Sequence, residues 1–275
     1  MPNIDRLLIR LTRIPGVLYL WRKFPIGAVP TRVRFALWPR PPYAYGLFRA
    51  AELAKNLKLD GLSAIEFGVA GGDGLVALEA IAEEVSRYWE IPIKVYGFDT
   101  GEGMPAPCDY RDLPHVWKKG FYRMEVEALK SRLKTAKLIL GDVDKSVPPF
   151  LADPTLLPIG FISFDLDFYS STKKALRIFT GDARTTLPRV FCYFDDIFFP
   201  EFACHNESVG ELCAIREFNE LHQAQKLYPL HLLRNTQPHP APWHDQVYIF
   251  HNFEHPLYCV NVAPTDQRWG QLPLT

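Results

Sequence analysis

Hydrophobic and polar positions along the chain switch repeatedly between two periods, and this switching predicts the architecture. From Tyr43 to Lys58 apolar residues recur at helical spacing, at Leu47, Ala50, Ala51, Leu53 and Ala54. A short hydrophobic run with a single acid, Glu66, comes next and breaks into Gly68, Gly71, Gly72 and Gly74. A second helical face then carries Val76, Leu78, Ala80, Ile81 and Val85. Further strand-like runs span Ile93 to Phe98, Ala136 to Leu140, Ile159 to Phe164 and Val190 to Phe194, with helical stretches at Tyr122 to Leu133 and Thr172 to Phe179. Strand and helix alternating in this way specify a doubly wound, Rossmann-like α/β sheet of five parallel strands with helices on both faces. After a helix around Glu211 to His222, the runs Pro229 to Leu233 and Gln246 to Phe250 leave no room for a helix between them. They predict an antiparallel pair at one edge of the sheet.

Residues 1–41 read differently. Leu7, Leu8, Ile9, Leu11 and Ile14 interleave with arginines, and a proline-punctuated stretch then runs through Pro15, Pro25, Pro30, Pro39, Pro41 and Pro42. The expectation is a basic arm over 1–41 ahead of one domain over 42–275. Four roles are open to the arm: packing on its own domain, packing on a partner subunit in a homo-oligomer, covering the site, or touching a membrane surface. Packing on its own domain is preferred, and membrane contact is disfavoured.

Charge sharpens this division. The 31 basic and 31 acidic residues balance, so nothing global points to nucleic acid. Residues 1–40 nevertheless hold eight basic residues against one acid, Asp5, which leaves 23 basic and 30 acidic residues, a net of −7, to the rest. The five cysteines form no Cys-x-x-Cys pair, which favours a reducing, cytoplasmic setting without structural zinc. No apolar run reaches the roughly 18 residues of a membrane span. The apolar stretch from Ile14 to Leu20 is broken by Pro15 and Gly16, so no targeting leader is expected.

The chemistry is concentrated where strands end. Glycines after the first strand let the backbone adopt positive φ and let a ligand approach main-chain N–H groups. No Gly-Lys-Ser/Thr comes after them, so a phosphate cradle is not the reading. Acids stand at every strand end: Glu66, Asp99, Asp142, Asp165 with Asp167, and Asp195 with Asp196. Ligands of open parallel sheets bind outside the carboxyl ends of the strands, and an acid such as Asp99 there commonly takes ribose hydroxyls. One acid is ordinary helix capping, but a row of them repels itself unless a cation or ligand donors enter. Asp165, Asp195 and Asp196, without Cys or His beside them, are hard oxygen donors suited to Mg²⁺ or Mn²⁺. The stretch from Thr100 to Gly120 is long and rich in turn formers and aromatics, as a functional loop would be. Most of the eight histidines fall after residue 200 without a metal-binding spacing; His205 alone stands close enough behind the acidic pair to reach the crevice.

Four blocks in register resemble the class I S-adenosylmethionine-dependent methyltransferases, and among them the macrocin O-methyltransferase-like group that modifies sugars of natural products. They are Glu66–Gly74 (EFGVAGGDG), Phe98–Pro105 (FDTGEGMP), Phe164–Leu176 (FDLDFYSSTKKAL) and Tyr193–Phe198 (YFDDIF). The resemblance implies that Glu66, Gly68 and Gly72, with Ala70 beside them, hold the methionine part of the cofactor. Asp99, with Thr100 beside it, would take the ribose hydroxyls, and Asp142 with Val143 would border the adenine. Asp165, Asp195 and Asp196 would bind Mg²⁺ or Mn²⁺, which chelates two neighbouring oxygens of a small hydroxylated acceptor, a glycoside or polyphenol. Phe168 occupies the position of the Lys or His base of some relatives, which leaves Asp165 as both ligand and base. Leu113, His115, Val116, Trp117 and the arm are the expected lid. Two other readings remain: a glycosyltransferase that uses Asp165-Leu166-Asp167 as a metal-binding DxD, and a relative that binds the cofactor without turnover.

Overall fold

The computed structural model describes residues 3–263. Three short helices, α1 (Asn3–Leu11), α2 (Val17–Lys23) and α3 (Val29–Arg34), precede α4 (Pro41–Asn56). Then come β1 (Leu62–Phe67), α5 (Asp73–Trp89), β2 (Ile93–Asp99), α6 (Val126–Arg132), β3 (Lys137–Leu140), α7 (Val143–Leu151), β4 (Ile159–Phe164), α8 (Tyr169–Ala175) and β5 (Thr186–Phe194). The chain continues through α9 (Gly210–Leu221), β6 (Gln225–Pro229), α10 (Leu233–Thr236) and β7 (Val247–Asn252). The strands form one seven-stranded sheet in the order β3-β2-β1-β4-β5-β7-β6. Its first five strands are parallel, and β7 and β6 extend it by antiparallel pairing. The doubly wound sheet with an antiparallel edge pair is therefore as the periodicity predicts.

One row of side chains sets the register of the central strands. Phe98, Phe67, Phe164 and Phe194 lie opposite one another across β2, β1, β4 and β5. Their rings meet in sequence at centroid separations of 5.0, 5.6 and 4.6 Å, the first pair tilted and the other two stacked, and all are buried. Aromatic neighbours of this kind each add stability beyond the area they bury. The next row outward is Asp99, Gly68, Asp165 and Asp195. The ladder carries through it by hydrogen bonds from Gly68 N to Phe98 O, Asp165 N to Phe67 O and Asp195 N to Phe164 O, each 3.0 Å. Gly68 has φ +83°, and a Cβ there would collide with the carbonyl oxygen of Asp165, so this row admits no side chain on β1.

The structure corrects several expected boundaries. The helix expected from Tyr122 begins only at Val126, because residues 120–121 are tied back to the loop by Met104 N to Phe121 O (2.8 Å) and Gly120 N to Met104 O (2.9 Å). Helix α7, with Pro148 and Pro149 inside it, lies where no helix was expected, since paired prolines read as a break. The first strand of the edge pair ends at Pro229 instead of starting there, and both α10 and a 3₁₀ turn at Pro242–Asp245 fit between the pair. The arm has two halves. Val33, Phe35, Leu37 and Trp38 are buried, with Arg32 ion-paired to Glu84 of α5. Ile4, Leu7, Leu11, Ile14, Tyr19, Leu20, Phe24 and Ile26 are exposed. Residues 264–275 of the expected domain, and Met1 and Pro2 of the arm, lie outside the described residues. No described helix is long and apolar enough to cross a membrane.

Because Phe164 is buried against Phe67 and Phe194, Phe164→Ala should cost about 3–5 kcal/mol of unfolding free energy in urea denaturation. Phe253→Ala, at a half-exposed position, should stay within about 0.5 kcal/mol. Equal costs would mean that the stacked row does not hold the sheet together.

Candidate active site

The strand ends open into one cavity of about 490 Å³, within the size range of small-molecule sites. Gly68, Ala70, Asp99, Thr100, Asp142 and Val143 line one part of it, and Asp165, Asp195 and Asp196 another. Glu66 and Gly72 stand behind the lining. Gly68 and Ala70 line the cavity, but their N–H groups are taken by Phe98 O at 3.0 Å and by Asp99 Oδ2 at 2.9 Å, so the open N–H groups expected of the glycine turn are not found at these two residues.

Asp99 closes β2 and is fixed by the backbone on both sides. Its Oδ2 accepts from Ala70 N at 2.9 Å and its Oδ1 from Gly101 N at 2.7 Å. The glycine turn and the acid thus form one rigid unit. Asp142 caps α7 by accepting from Asp144 N (2.9 Å) and pairs with Lys174 Nζ (3.0 Å). Its carboxyl lies below the usual range, chiefly because of that backbone hydrogen bond, which outweighs partial burial.

Glu66 belongs to a buried chain. Ser163 Oγ donates to Tyr43 Oη at 2.9 Å, and Tyr43 Oη donates to Glu66 Oε1 at 2.6 Å. Glu66 Oε2 is buried without a partner. Burial pushes the Glu66 carboxyl up to about 7, against the Tyr43 hydrogen bond and the charge of Arg40, which pull it down. The first turn of α5 lies directly over it, since a Cβ on Gly74 would collide with Glu66 Oε1.

One carboxylate oxygen from each of Asp165, Asp195 and Asp196 lies within 4.8 Å of the others. Burial raises the carboxyls of Asp165 and Asp196 well above the ordinary value, and neighbouring aspartates raise them further. Asp167, in the left-handed region at φ +57°, donates its N–H to Asp196 Oδ2 at 2.9 Å, and its own carboxyl is pushed up to about 7 by burial and by Asp165. Three converging hard oxygen donors, of which burial holds Asp165 and Asp196 short of charge, fit a divalent cation such as Mg²⁺ or Mn²⁺. Asp167, the second acid of the DxD reading, lines the same cavity but is not one of the three clustered acids.

Several participants were not anticipated. Glu211, at the start of α9, accepts from Asp196 N at 3.1 Å and from Thr172 Oγ1 at 3.3 Å. Its place in a first helical turn reads from sequence as dipole complementation only. Asp112, buried in the long loop, accepts from Cys108 N, Ser170 N and Ser170 Oγ and so pins the loop to α8. Arg40, the last residue before α4, brings a cation towards the acids, and its position at the end of the basic arm was the available signal. Met104, Trp117, Tyr122, Phe199 and Pro200 make an apolar part of the remaining wall, and Asp167, Ser170, Ser171 and Lys174 a polar one. Of the expected lid, Leu113 and Trp117 are buried with Phe168 in a small cluster, His115 is exposed, and no arm residue lines the cavity. Phe168 has no route to act as a base. His205 does not line the cavity either; its Nε2 meets Phe199 O at 3.2 Å.

No protein-family model matches the sequence, and no curated protein matches it. Among solved structures, the calicheamicin methyltransferase CalS11 is similar over 91% of this chain and 93% of its own, with 22% identity and a TM-score of 0.53. The O-methyltransferase NovP is similar over 77% of this chain and 80% of its own, with 13% identity and a TM-score of 0.50. At these identities the likeness establishes the methyltransferase fold.

The acid row makes the stability of the protein sensitive to pH. Glu66 has a folded value near 7 against about 4.5 unfolded, so its contribution is fully present below pH 4.5 and is lost as pH rises through 7. The wild type should lose about 3 kcal/mol more stability than Glu66→Gln between pH 4.5 and pH 8 in urea denaturation. Parallel pH profiles for the two proteins would assign that loss elsewhere.

Proposed function

We propose that this chain is an S-adenosylmethionine-dependent O-methyltransferase that requires Mg²⁺ or Mn²⁺ and acts on a vicinal hydroxyl pair of a glycoside or polyphenol. The observation that carries the reading is that a single cavity has the Asp99–Ala70 unit in one part and the Asp165, Asp195, Asp196 cluster in another. The fold shared with CalS11 and NovP, both described as methyltransferases, supports it.

On this reading Asp99, with Thr100 beside it, binds the ribose hydroxyls, and Asp142 and Val143 border the adenine. Gly68 and Ala70 lie against the methionine part, with Glu66 behind them and Gly72 leading into α5. S-adenosylmethionine, when bound, supplies an electrophilic methyl group. A divalent cation held by Asp165, Asp195 and Asp196 would lower the pKa of the acceptor hydroxyl. The protein's own share is orientation and proton removal. The rigid strand ends hold acceptor and donor in line, which is where most of the rate gain of a bimolecular displacement arises. Asp165, beside the acceptor hydroxyl on this reading, takes its proton as well as holding the cation. Trp117, Tyr122 and Phe199 give the acceptor an apolar wall to lie against.

Calorimetry with S-adenosylhomocysteine, with and without Mg²⁺, tests the donor half. Micromolar binding is expected, and Asp99→Ala should weaken it tenfold or more through loss of hydroxyl contacts worth ~1–3 kcal/mol. Binding of UDP-glucose instead, and only with Mg²⁺, would overturn the assignment in favour of a glycosyltransferase. For the acceptor half, Asp195→Asn and Asp196→Asn should abolish Mg²⁺-dependent methyl transfer to catechol-type and glycoside acceptors. Both variants should keep S-adenosylhomocysteine affinity within about threefold. If both variants lost cofactor binding equally, these acids would belong to the cofactor site and not to a metal.

A further inference from the structure

The outer half of the arm carries a surface that the cavity does not use. Eight of the 21 exposed large apolar side chains among the described residues fall between Ile4 and Ile26, a concentration that scattered single ones would not give. Helix α1 presents three stripes. One faces the domain: Asp5 pairs with Arg34 at 3.9 Å, and Thr12, just past the helix end, is buried with its Oγ1 at 2.8 Å from His239 Nε2. A second carries Ile4, Leu7 and Leu11 at i, i+3 and i+7, all exposed, and Ile14 continues it. The third is cationic, with Arg6 and Arg10 at i and i+4 and Arg13 beyond them, all exposed. Helix α2 adds to this surface and buries none of its residues. Its Trp21 rests on Phe35 at 5.1 Å between ring centres, while Tyr19, Leu20, Arg22 and Lys23 face outward.

Arg6, Arg10, Arg13, Arg22 and Lys23 form no ion pair among the described residues, whereas Arg32 and Arg34 of the inner half do. An exposed apolar stripe beside unpaired cations calls for an occupant that is apolar within and anionic at its edge. A second copy meeting the first arm to arm would set these five cations against the same five, which repel. A bilayer with anionic headgroups supplies both halves, acyl chains for the stripe and phosphates for the arginines. The rest of the chain, at a net −7, is repelled by such a surface, so the arm alone makes the contact.

We propose that residues 4–26 form an interaction surface that lays the protein on an anionic lipid bilayer, with Ile4, Leu7 and Leu11 at the acyl boundary and Arg6, Arg10 and Arg13 at the headgroups. Sequence alone disfavours membrane contact; the exposure of the apolar stripe, which no sequence pattern reveals, reverses that order. Lying on a surface requires no spanning helix, and the contact does not depend on which reaction the cavity carries out.

Flotation of the full chain with vesicles of phosphatidylcholine alone, and of phosphatidylcholine mixed with phosphatidylglycerol, tests this. The wild type should bind the mixed vesicles about tenfold or more tightly than the neutral ones, and added salt should release it. Arg10→Gln combined with Arg13→Gln should weaken binding to the mixed vesicles about tenfold or more, the scale of two cations at an anionic surface. Leu7→Asp combined with Leu11→Asp should abolish it. All four side chains are exposed, so both double variants should keep the urea midpoint of the wild type. If the aspartate variant does not fold, the glutamine variant carries the same comparison. Equal binding to the two kinds of vesicle, binding indifferent to salt, binding that survives in both variants, or no binding by the wild type overturns the proposal. A wild-type dimer in sedimentation that ignores both vesicles, and that Leu7→Asp with Leu11→Asp dissolves, overturns it in favour of a second copy.

Discussion

The structure depends on the stacked phenylalanines Phe98, Phe67, Phe164 and Phe194. They set the register of four neighbouring strands, and so decide which residues emerge together one step further along. That next row is Asp99, Gly68, Asp165 and Asp195, and its backbone remains in the ladder. A slip of one residue on β2, β4 or β5 would send its phenylalanine to the opposite face and withdraw its acid from the crevice. Hydrophobic stacking in the core and the placement of polar chemistry at the rim are thus one constraint, met by the repeated pair Phe-Asp on β2, β4 and β5.

The same aromatic row makes the acids costly. It excludes water from beneath Asp165 and Asp196, and burial is the leading cause of their raised carboxyl values. Charges removed from water without partners cost several kcal/mol each even after relaxation. The fold relieves part of this with Tyr43 on Glu66, backbone N–H groups on Asp99, Asp196 and Glu211, and Arg40 facing three of the acids. Asp165 is left with like-charged neighbours in excess of its single opposing arginine. Residual repulsion of this kind is what a bound divalent cation would remove, so the energetics of the acid cluster and the proposed chemistry point the same way.

Sequence patterning found the strands well because each central one is a continuous apolar run bounded by an acid, as strands buried on both faces must be. Its failures have local causes. β6 lies at the sheet edge with Tyr228 exposed, so it lacks such a run, and the nearby apolar residues Leu230 and Leu233 drew the expected strand forward. α7 was hidden by Pro148 and Pro149, although Asp142 is a sound N-cap. In the site, residues at strand ends were legible, since topology alone brings them together. Arg40, Tyr43, Glu211 and Asp112 were not, because each arrives from a helix start or a loop whose approach to the crevice is a tertiary fact.

This division separates what is fixed from what is free to vary. On the proposed reading the donor side rests on strand ends and on their backbone hydrogen bonds. The acceptor side is built from the loop that Met104 and Phe121 close, with Trp117 and Tyr122, and from Phe199 and Pro200 beyond β5. Loops on a rigid scaffold change their side chains without disturbing the sheet. On the proposed reading, methyl-donor recognition and cation binding are therefore tied to the core that holds the protein together. On the same reading acceptor choice is tied to aromatic side chains at the rim, so substitutions at Tyr122 or Phe199 would change which molecule is methylated without unsettling the strand ends beneath.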